Sequence, residues 1–489
     1  MTETTIELPS VERAAPMRPP ASVFAAIAVK EIRDHLHGKR FLIGALLCVL
    51  LCTTSAWVRA RDLRDANQER ALFLQRWRPA VEEQLERDEI IQVENTRSVS
   101  PLAVLSVGLE PVTPFRFTST KEGLRFGASR GAQNIIDALF GYLDLSFVVG
   151  TLLSLFALAL TFDSISSERA HGTLALMLSY PVSRGTVVLA KVLGNSVILI
   201  ASFVPALAVA MLVTFASGVP AVGTMHVLAF ALLSVLYLIC FAALGLAVSA
   251  AARTSTDAAL ICLLLWVSFV FLVPRVIGIA VNRVVPSARA VELALREDQA
   301  VSQLKIAYTR RVQYALDAYV NADPDNAFRN DDFQKARKQA SDELRKQRRT
   351  VVARLWDESD RNEATREAAI ERWSMLSPAA LFSQSSADLA WTGHLQRDRF
   401  IADARAYHEN VGSRLAESRE AFATRLTSRT MAIILHDDIK PYLIPFESTR
   451  VPSREILLSI AYPAALLAAF ASLFLAAARW FLARMDVRS

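Results

Sequence analysis

Apolar and polar positions in this chain separate on the scale of whole segments. Six runs are apolar and long enough to cross a hydrocarbon core of roughly 30 Å: residues 41–58, 142–162, 186–217, 225–250, 258–281 and 456–483. The first is short, but Arg40 and Arg59 at its ends have stems long enough to carry their charges to the interface. Ahead of it, residues 22–40 set Val23, Phe24, Ile27, Ile32 and Leu36 at helical spacing among Lys30, Arg33, Lys39 and Arg40. That basic-ended amphipathic pattern predicts a helix lying in the membrane interface; a plain helical lead-in fits the same pattern and place. Residues 1–21 carry Pro9, Pro16, Pro19 and Pro20 with little apolar content and read as a disordered cytoplasmic tail. They do not read as a signal peptide, because Glu3, Glu7 and Glu12 precede the first apolar run and no small-residue cleavage pattern follows.

Two polar stretches are long. In residues 59–141, Leu63, Ala66, Phe73, Trp77, Val81 and Leu85 make a broken helical stripe that Pro79 is expected to kink or divide. The stretch from Ser100 to Phe117 mixes Pro, Gly and apolar residues and predicts extended or turn-bearing chain. Residues 282–455 hold three helical stripes: Leu304, Tyr308, Val312, Leu316 and Tyr319; then Phe333, Ala336, Ala340, Leu344, Val351 and Leu355; then Phe400, Ala404, Tyr407, Val411, Leu415, Phe422 and Leu426. The turn residues Asn321 to Asp325 make an antiparallel hairpin of the first two the economical arrangement, with the third helix packed on it. The predicted fold class is thus an all-α membrane protein of six transmembrane helices, with an N-terminal interfacial elbow helix and a large helical extracytoplasmic insertion. The basic flanks Lys39-Arg40, Arg184, Arg253 and Arg484 fall on one side under this count. The positive-inside rule then puts both termini, residues 163–185 and residues 484–489 in the cytoplasm, and residues 59–141 and 282–455 outside it.

Composition sharpens this picture. With 53% hydrophobic residues the chain is too apolar for an ordinary soluble protein, and with 21% charged residues it is too polar to lie wholly in a membrane. The formal charge of +6 is accounted for by basic residues beside the spans. No zinc-knuckle, helix-turn-helix or aromatic RNA-binding pattern accompanies it, so nucleic acid is not an expected partner. Cys48, Cys52, Cys240 and Cys262 all fall in apolar runs, where they read as small hydrophobes rather than a disulfide framework.

The most informative polar segment is the shortest, residues 163–185 between the second and third runs. Asp163, Ser166, Ser167 and Glu168 supply acceptors and negative charge suited to a helix start, Leu174, Leu176, Met177 and Leu178 supply an apolar side, and Pro181 ends the helix. A polar loop closing a helical hairpin is the plainer reading of that pattern. The spaced set Glu168, Gly172, Thr173, Leu174, Ser179, Pro181, Val182, Ser183, Arg184, Lys191 and Gly194 resembles type-2 ABC transporter permeases. It is most similar to the subgroup with long periplasmic insertions related to gliding-motility and nitrous-oxide-reductase maturation permeases. Lys30-Glu31 is similar to a Lys-Glu pair in that family's elbow helix, and His171 departs from its usual acidic residue.

The resemblance implies that residues 163–185 include a coupling helix touching a separate ABC ATPase subunit, with Asp163, Glu168, Gly172, Thr173, Leu174, Met177, Pro181 and Arg184 as the coupling residues. It also implies a second permease, identical or related, as dimer partner, a bacterial inner-membrane location, and an exporting direction. The outer helical domain would suit a periplasmic partner protein. The chain would need no cofactor of its own, ATP and Mg being bound by the partner ATPase. In keeping with that, no Gly-x4-Gly-Lys-Ser/Thr loop occurs. No His-Glu-x-x-His pair, Gly-x-Ser-x-Gly elbow or Cys-His signature supports an enzyme or a metal site. Asp137, Asp144 and Arg275, near span ends, read as solvated or paired, and His408-Glu409 and His436-Asp437-Asp438 as surface residues. A membrane scaffold, sensor or ATP-driven mechanotransmitter is the alternative reading.

Overall fold

The computed structural model describes residues 20–86, 92–120, 123–127, 129, 142–180, 182–219, 223–285, 290–322, 331–424 and 444–484. The chain forms two compact units, Met1–Val270 with Leu381–Ser489, and Phe271–Ala380. Among the described residues, six helices are long and apolar enough to cross a membrane, and they include all six apolar runs.

In the first unit, α1 (Pro20–Leu36) leads into α2 (Lys39–Glu86), which continues without interruption from the first span into the polar stretch beyond it. Pro79 lies inside that helix and does not divide it. Packing holds the chain there, because Trp77 and Val81 on either side of the proline are buried with Val93 and Val411. The second span is α3 (Leu145–Phe147), a π turn at Val148–Leu153, and α4 (Ser154–Thr161). Two short helices follow, α5 (Ser166–Ala170) and α6 (Thr173–Leu178). The third and fourth spans are α7 (Arg184–Ala216) and α8 (Thr224–Ala251). The fifth begins as α9 (Ser255–Val267), and the sixth is α15 (Ser453–Arg484). The central helix α8 packs against α4, α7 and α15. At Gly245 it meets the end of α4 closely: a Cβ there would lie 2.0 Å from Thr161 Oγ1, so glycine admits this approach.

Beyond α2 the first unit contains a small antiparallel sheet that the apolar pattern did not predict, in the order β1 (Gln92–Thr96), β2 (Arg116–Thr120), β3 (Gly123–Phe126). Val93 faces Ser119 across the first pair, and Phe117 faces Phe126 across the second. The inner face is aromatic, with Phe117 wholly buried against Phe400, Tyr407 and Phe446. Between β1 and β2 the expected turn-bearing stretch is fixed by polar contacts: Ser100 Oγ donates to the Ala390 carbonyl (2.6 Å), and the Thr392 hydroxyl to that of Ser106 (2.9 Å). Arg97 grips both oxygens of Glu110.

The second unit carries α10 (Val273–Val284), α11 (Ala290–Ala322) and α12 (Asp331–Ser374). Helices α11 and α12 pack along one another; Leu293, Val301, Phe333 and Ala340 are buried, and Leu304, Tyr308, Val312 and Leu316 of the first stripe are half-buried. The expected turn lies mostly at 323–325, outside the described residues. The third stripe belongs elsewhere: α14 (His394–Thr424), which follows α13 (Pro378–Leu389), sits in the first unit and lays Phe400 and Ala404 on β2 and β3. Its spacing reflects burial against a sheet, not a three-helix packing.

Candidate functional site

The connector between the second and third spans is held at both ends and along one side. After α4 the chain turns, and the backbone amides of Ile165 and Ser166 donate to the Ser249 hydroxyl (2.9 and 3.1 Å). These donors open α5 and would otherwise lack acceptors; a serine from the end of α8 supplies one. Ser166 Oγ meets Ser255 Oγ at 3.1 Å, and the Arg169 guanidinium donates to the Ala252 carbonyl. Gly172, at φ +71°, turns the chain between α5 and α6 in the left-handed region where a side chain is strained. Ser183 then caps α7 by accepting from the Thr186 amide (3.1 Å).

Four charges stand beneath the connector. Lys30 Nζ lies 2.6 Å from Glu168 Oε1, Lys191 Nζ lies 2.6 Å from Glu31 Oε1, and the same ammonium lies 2.9 Å from Glu168 Oε2. Lys191 also donates to the Ser164 carbonyl at 3.1 Å. Its side chain is 0% exposed and that of Glu168 12%. Partial burial favours the neutral amine of Lys30, yet Glu168, Glu31 and Asp34 together hold it above its ordinary value.

These ties define one face of the bundle. The connector touches α1 through Glu168, the end of α8 through Ser249, the turn beyond it through Arg169, and the end of α15 through Arg184, whose guanidinium donates to the carbonyls of Leu482 (2.6 Å) and Ala483. A cation on the last carbonyls of a helix satisfies acceptors the helix itself leaves open. A second set of contacts lies at the opposite helix ends. Arg64 of α2 donates to the Ser217 carbonyl just beyond α7, and His226 near the start of α8 bridges the Leu389 carbonyl (2.8 Å) and the Ser453 hydroxyl at the start of α15 (2.9 Å).

The eight residues expected to couple fare differently. Asp163 is half-buried, its carbonyl accepting from the Ser167 amide at 2.9 Å. Glu168 is committed to the charge cluster. Gly172 and Thr173 are exposed, and the Thr173 hydroxyl donates to the Glu168 carbonyl (3.2 Å). Leu174 is only 1% exposed, in a core with Ile165, Val188, Leu246, Ala250 and Leu482. Its side chain thus packs into the bundle and is not part of the outward surface of the connector. Met177 is half-buried against the cluster of Ile27, Val187 and Ala190, and Arg184 is spent on the end of α15. Pro181 lies outside the described residues.

The outward surface is carried instead by Leu176, 68% exposed, and Tyr180, 62% exposed, with His171, Thr173 and Ser179 beside them. The sequence contained that signal. At about 100° per residue, Leu176 lies roughly 200° from both Leu174 and Leu178, so it cannot share their face.

The other candidates are structural. Asp144 is buried at the start of α3, where its carboxylate accepts from the Val107 amide (2.7 Å) and the Phe147 amide (2.6 Å). His408, expected on the surface, is half-buried, with Nδ1 2.7 Å from Ser119 Oγ. Arg275 is exposed. Asp137 and His436-Asp437-Asp438 lie outside the described residues. Among those described, no group of three or more His, Cys, Asp or Glu side chains is arranged to hold a metal ion.

Six apolar spans, a helical connector fastened to α1, α7, α8, α9 and α15, and a polar cap at the opposite ends define a multi-span membrane subunit of the transporter type. Residues 25–355 match the family described as ABC-2 family transporter protein, and the chain belongs to that family. Residues 298–438 match a domain of unknown function. A stretch of 132 residues is 39% identical to the "Probable ABC transporter permease protein NosY" of Pseudomonas aeruginosa, covering 25% of this chain and 45% of that protein. The match thus spans under half the length of that relative. The resemblance read from Glu168 to Gly194 is borne out at the level of the family, and so is a membrane-embedded, six-span helical fold.

Proposed function

We propose that this membrane subunit is the permease half of an ABC exporter in a bacterial inner membrane, paired with a second permease and driven by a separate ATPase that binds Mg and ATP. The observation that carries the reading is the outward strip of Leu176 and Tyr180 on a connector anchored to α1, α8 and α15. An exposed leucine and tyrosine on a short helix suit docking into a groove, and the anchors give a push at that strip a route into the spans. Basic residues Lys30, Arg169, Arg184, Arg253 and Arg484 gather at the connector's end of the bundle, the side that the positive-inside rule assigns to the cytoplasm. The paired helices α11 and α12, in a unit of their own, are the surface offered to a partner outside the cytoplasm.

The test uses Leu176→Asp with Tyr180→Asp, introduced into the full chain co-expressed with its ABC ATPase. The pair is expected to leave membrane accumulation unchanged and to abolish ATPase co-purification. Wild-type recovery of the ATPase would refute docking at this strip. A wild-type complex that hydrolyses ATP in vesicles without moving any solute would favour transmission of movement to the outer helices over export.

A further inference from the structure

The geometry points to Lys191 as the positioning residue of the coupling machinery, its ion pairs with Glu31 and Glu168 locking α1, α5 and α7 into one body that must move together. The inference rests on the coupling role proposed for the connector and names how that site is held.

Lys191 carries the argument because it is fully enclosed, with its ammonium 2.6 Å from Glu31 Oε1 and 2.9 Å from Glu168 Oε2. Each partner comes from a different part of the chain: Glu31 from the helix before the first span, Glu168 from the connector, Lys191 from the third span. Lys30 closes the cluster from the exposed side through its 2.6 Å pair with Glu168. At Gly194, one turn beyond Lys191, a Cβ would lie 2.9 Å from Glu31 Cβ and 3.1 Å from the Ala28 carbonyl, so α1 rests on the α7 backbone here.

Packing does not require these charges. Buried ion pairs can often be exchanged for apolar groups of the same size without loss of stability, whereas removing one member leaves an uncompensated charge. What enclosed pairs do fix is register, since a shift of one element past another would separate charges away from water. A displacement of α5 therefore has to carry α1 and α7 with it. The ionic tie, rather than apolar contact, would then set how much of an ATPase movement reaches the spans.

The test compares two variants of the full chain in complex with its ATPase, reconstituted in liposomes and supplied with ATP and Mg. The first, E31Q/E168Q/K191M, removes the charge of the three enclosed members at similar volume and leaves Lys30 on the exposed side. It is expected to retain ATPase co-purification within about twofold while stimulation of ATP hydrolysis by the permease falls at least about tenfold, inside the ordinary range of coupling between sites. The second, K30E/E31K/E168K/K191E, inverts all four charges and keeps every pair attractive; it is expected to regain at least about half of the stimulation. A purely structural role would leave the neutral variant coupled, and that result overturns the inference. If the neutral variant does not accumulate, the inverted one decides: coupling supports the tie, and an assembled but uncoupled complex overturns it. Failure of both to accumulate also overturns it, by making the charges a folding requirement. The docking reading fails separately, if Leu176→Asp with Tyr180→Asp still recovers the ATPase.

Discussion

Leu174 and Leu176 stand two residues apart on one short helix, and the structure assigns them opposite consequences. Leu174→Ala removes most of a side chain that is 1% exposed among Ile165, Val188, Val192, Leu246 and Leu482. Truncating an enclosed leucine costs about 2–5 kcal/mol, the transfer term plus the cavity left behind. The lower half of that range applies, because the neighbouring Leu178 is only partly buried and has room to relax into the gap. At about 3 kcal/mol, the ratio of folded to unfolded chain falls roughly 150-fold. Leu176 is 68% exposed, and Leu176→Ala should change stability by no more than about 0.5 kcal/mol. Unfolding in mixed micelles of rising denaturing-detergent fraction, followed by circular dichroism, reads both. Co-purification with the ATPase below the unfolding midpoint should rank the variants in reverse, Leu176→Ala binding less. Equal midpoints, or a lower midpoint for Leu176→Ala, would refute the assignment of faces.

Two further outcomes follow from the same coordinates. An impermeant thiol reagent on intact spheroplasts should label Ser341→Cys but not Ser183→Cys until the membrane is opened, with low background because the four native cysteines are buried; the reverse pattern would invert the proposed orientation. Burial lowers the His408 pKa, against a smaller opposing effect of Glu409. The unfolded chain therefore takes up the proton first, so the stability His408 contributes is complete above its unfolded value of about 6.5 and is lost as pH falls through the lower folded value. The protection factors of the Arg116–Thr120 amides, corrected for the intrinsic slowing of exchange at lower pH, should fall from pH 7.5 to pH 5 by more in the wild-type chain than in His408→Gln. Equal behaviour of the two chains would remove His408 from the stability of the sheet.

The spans were legible because a membrane helix buries nothing but its own composition: a run of apolar residues suffices, and no distant partner is needed. The three strands were not, because their inner face exists only through Phe400 and Phe446, about 280 or more positions downstream of Phe117. The stripe of α14 was seen, but periodicity shows that a face is buried and not what covers it. At the connector, position and helical character were legible, but the apolar side read from the sequence puts Leu174 and Leu176 together although their angular spacing sets them apart. The role of Lys191 was not legible. In the sequence it is one member of a spaced set; only its 2.6 Å approach to Glu31, 160 residues earlier, makes it an enclosed charge.

The Ser100–Ala390 hydrogen bond joins residues 290 positions apart, on a cap whose strands are all made before the second span. At a synthesis rate of roughly 5–20 residues per second, β2 waits about 15–60 s for Phe400 and Phe446 to emerge. During that interval its aromatic face and open edges have no native partner, while the second to fifth spans are threaded in turn. Assembly of the cap is thus a late event, timed by insertion of the fifth span and arrival of the chain that follows it. A slow codon tract or a stalled translocation between residues 126 and 400 would lengthen the exposure of an aggregation-prone surface without altering a single residue of the finished protein.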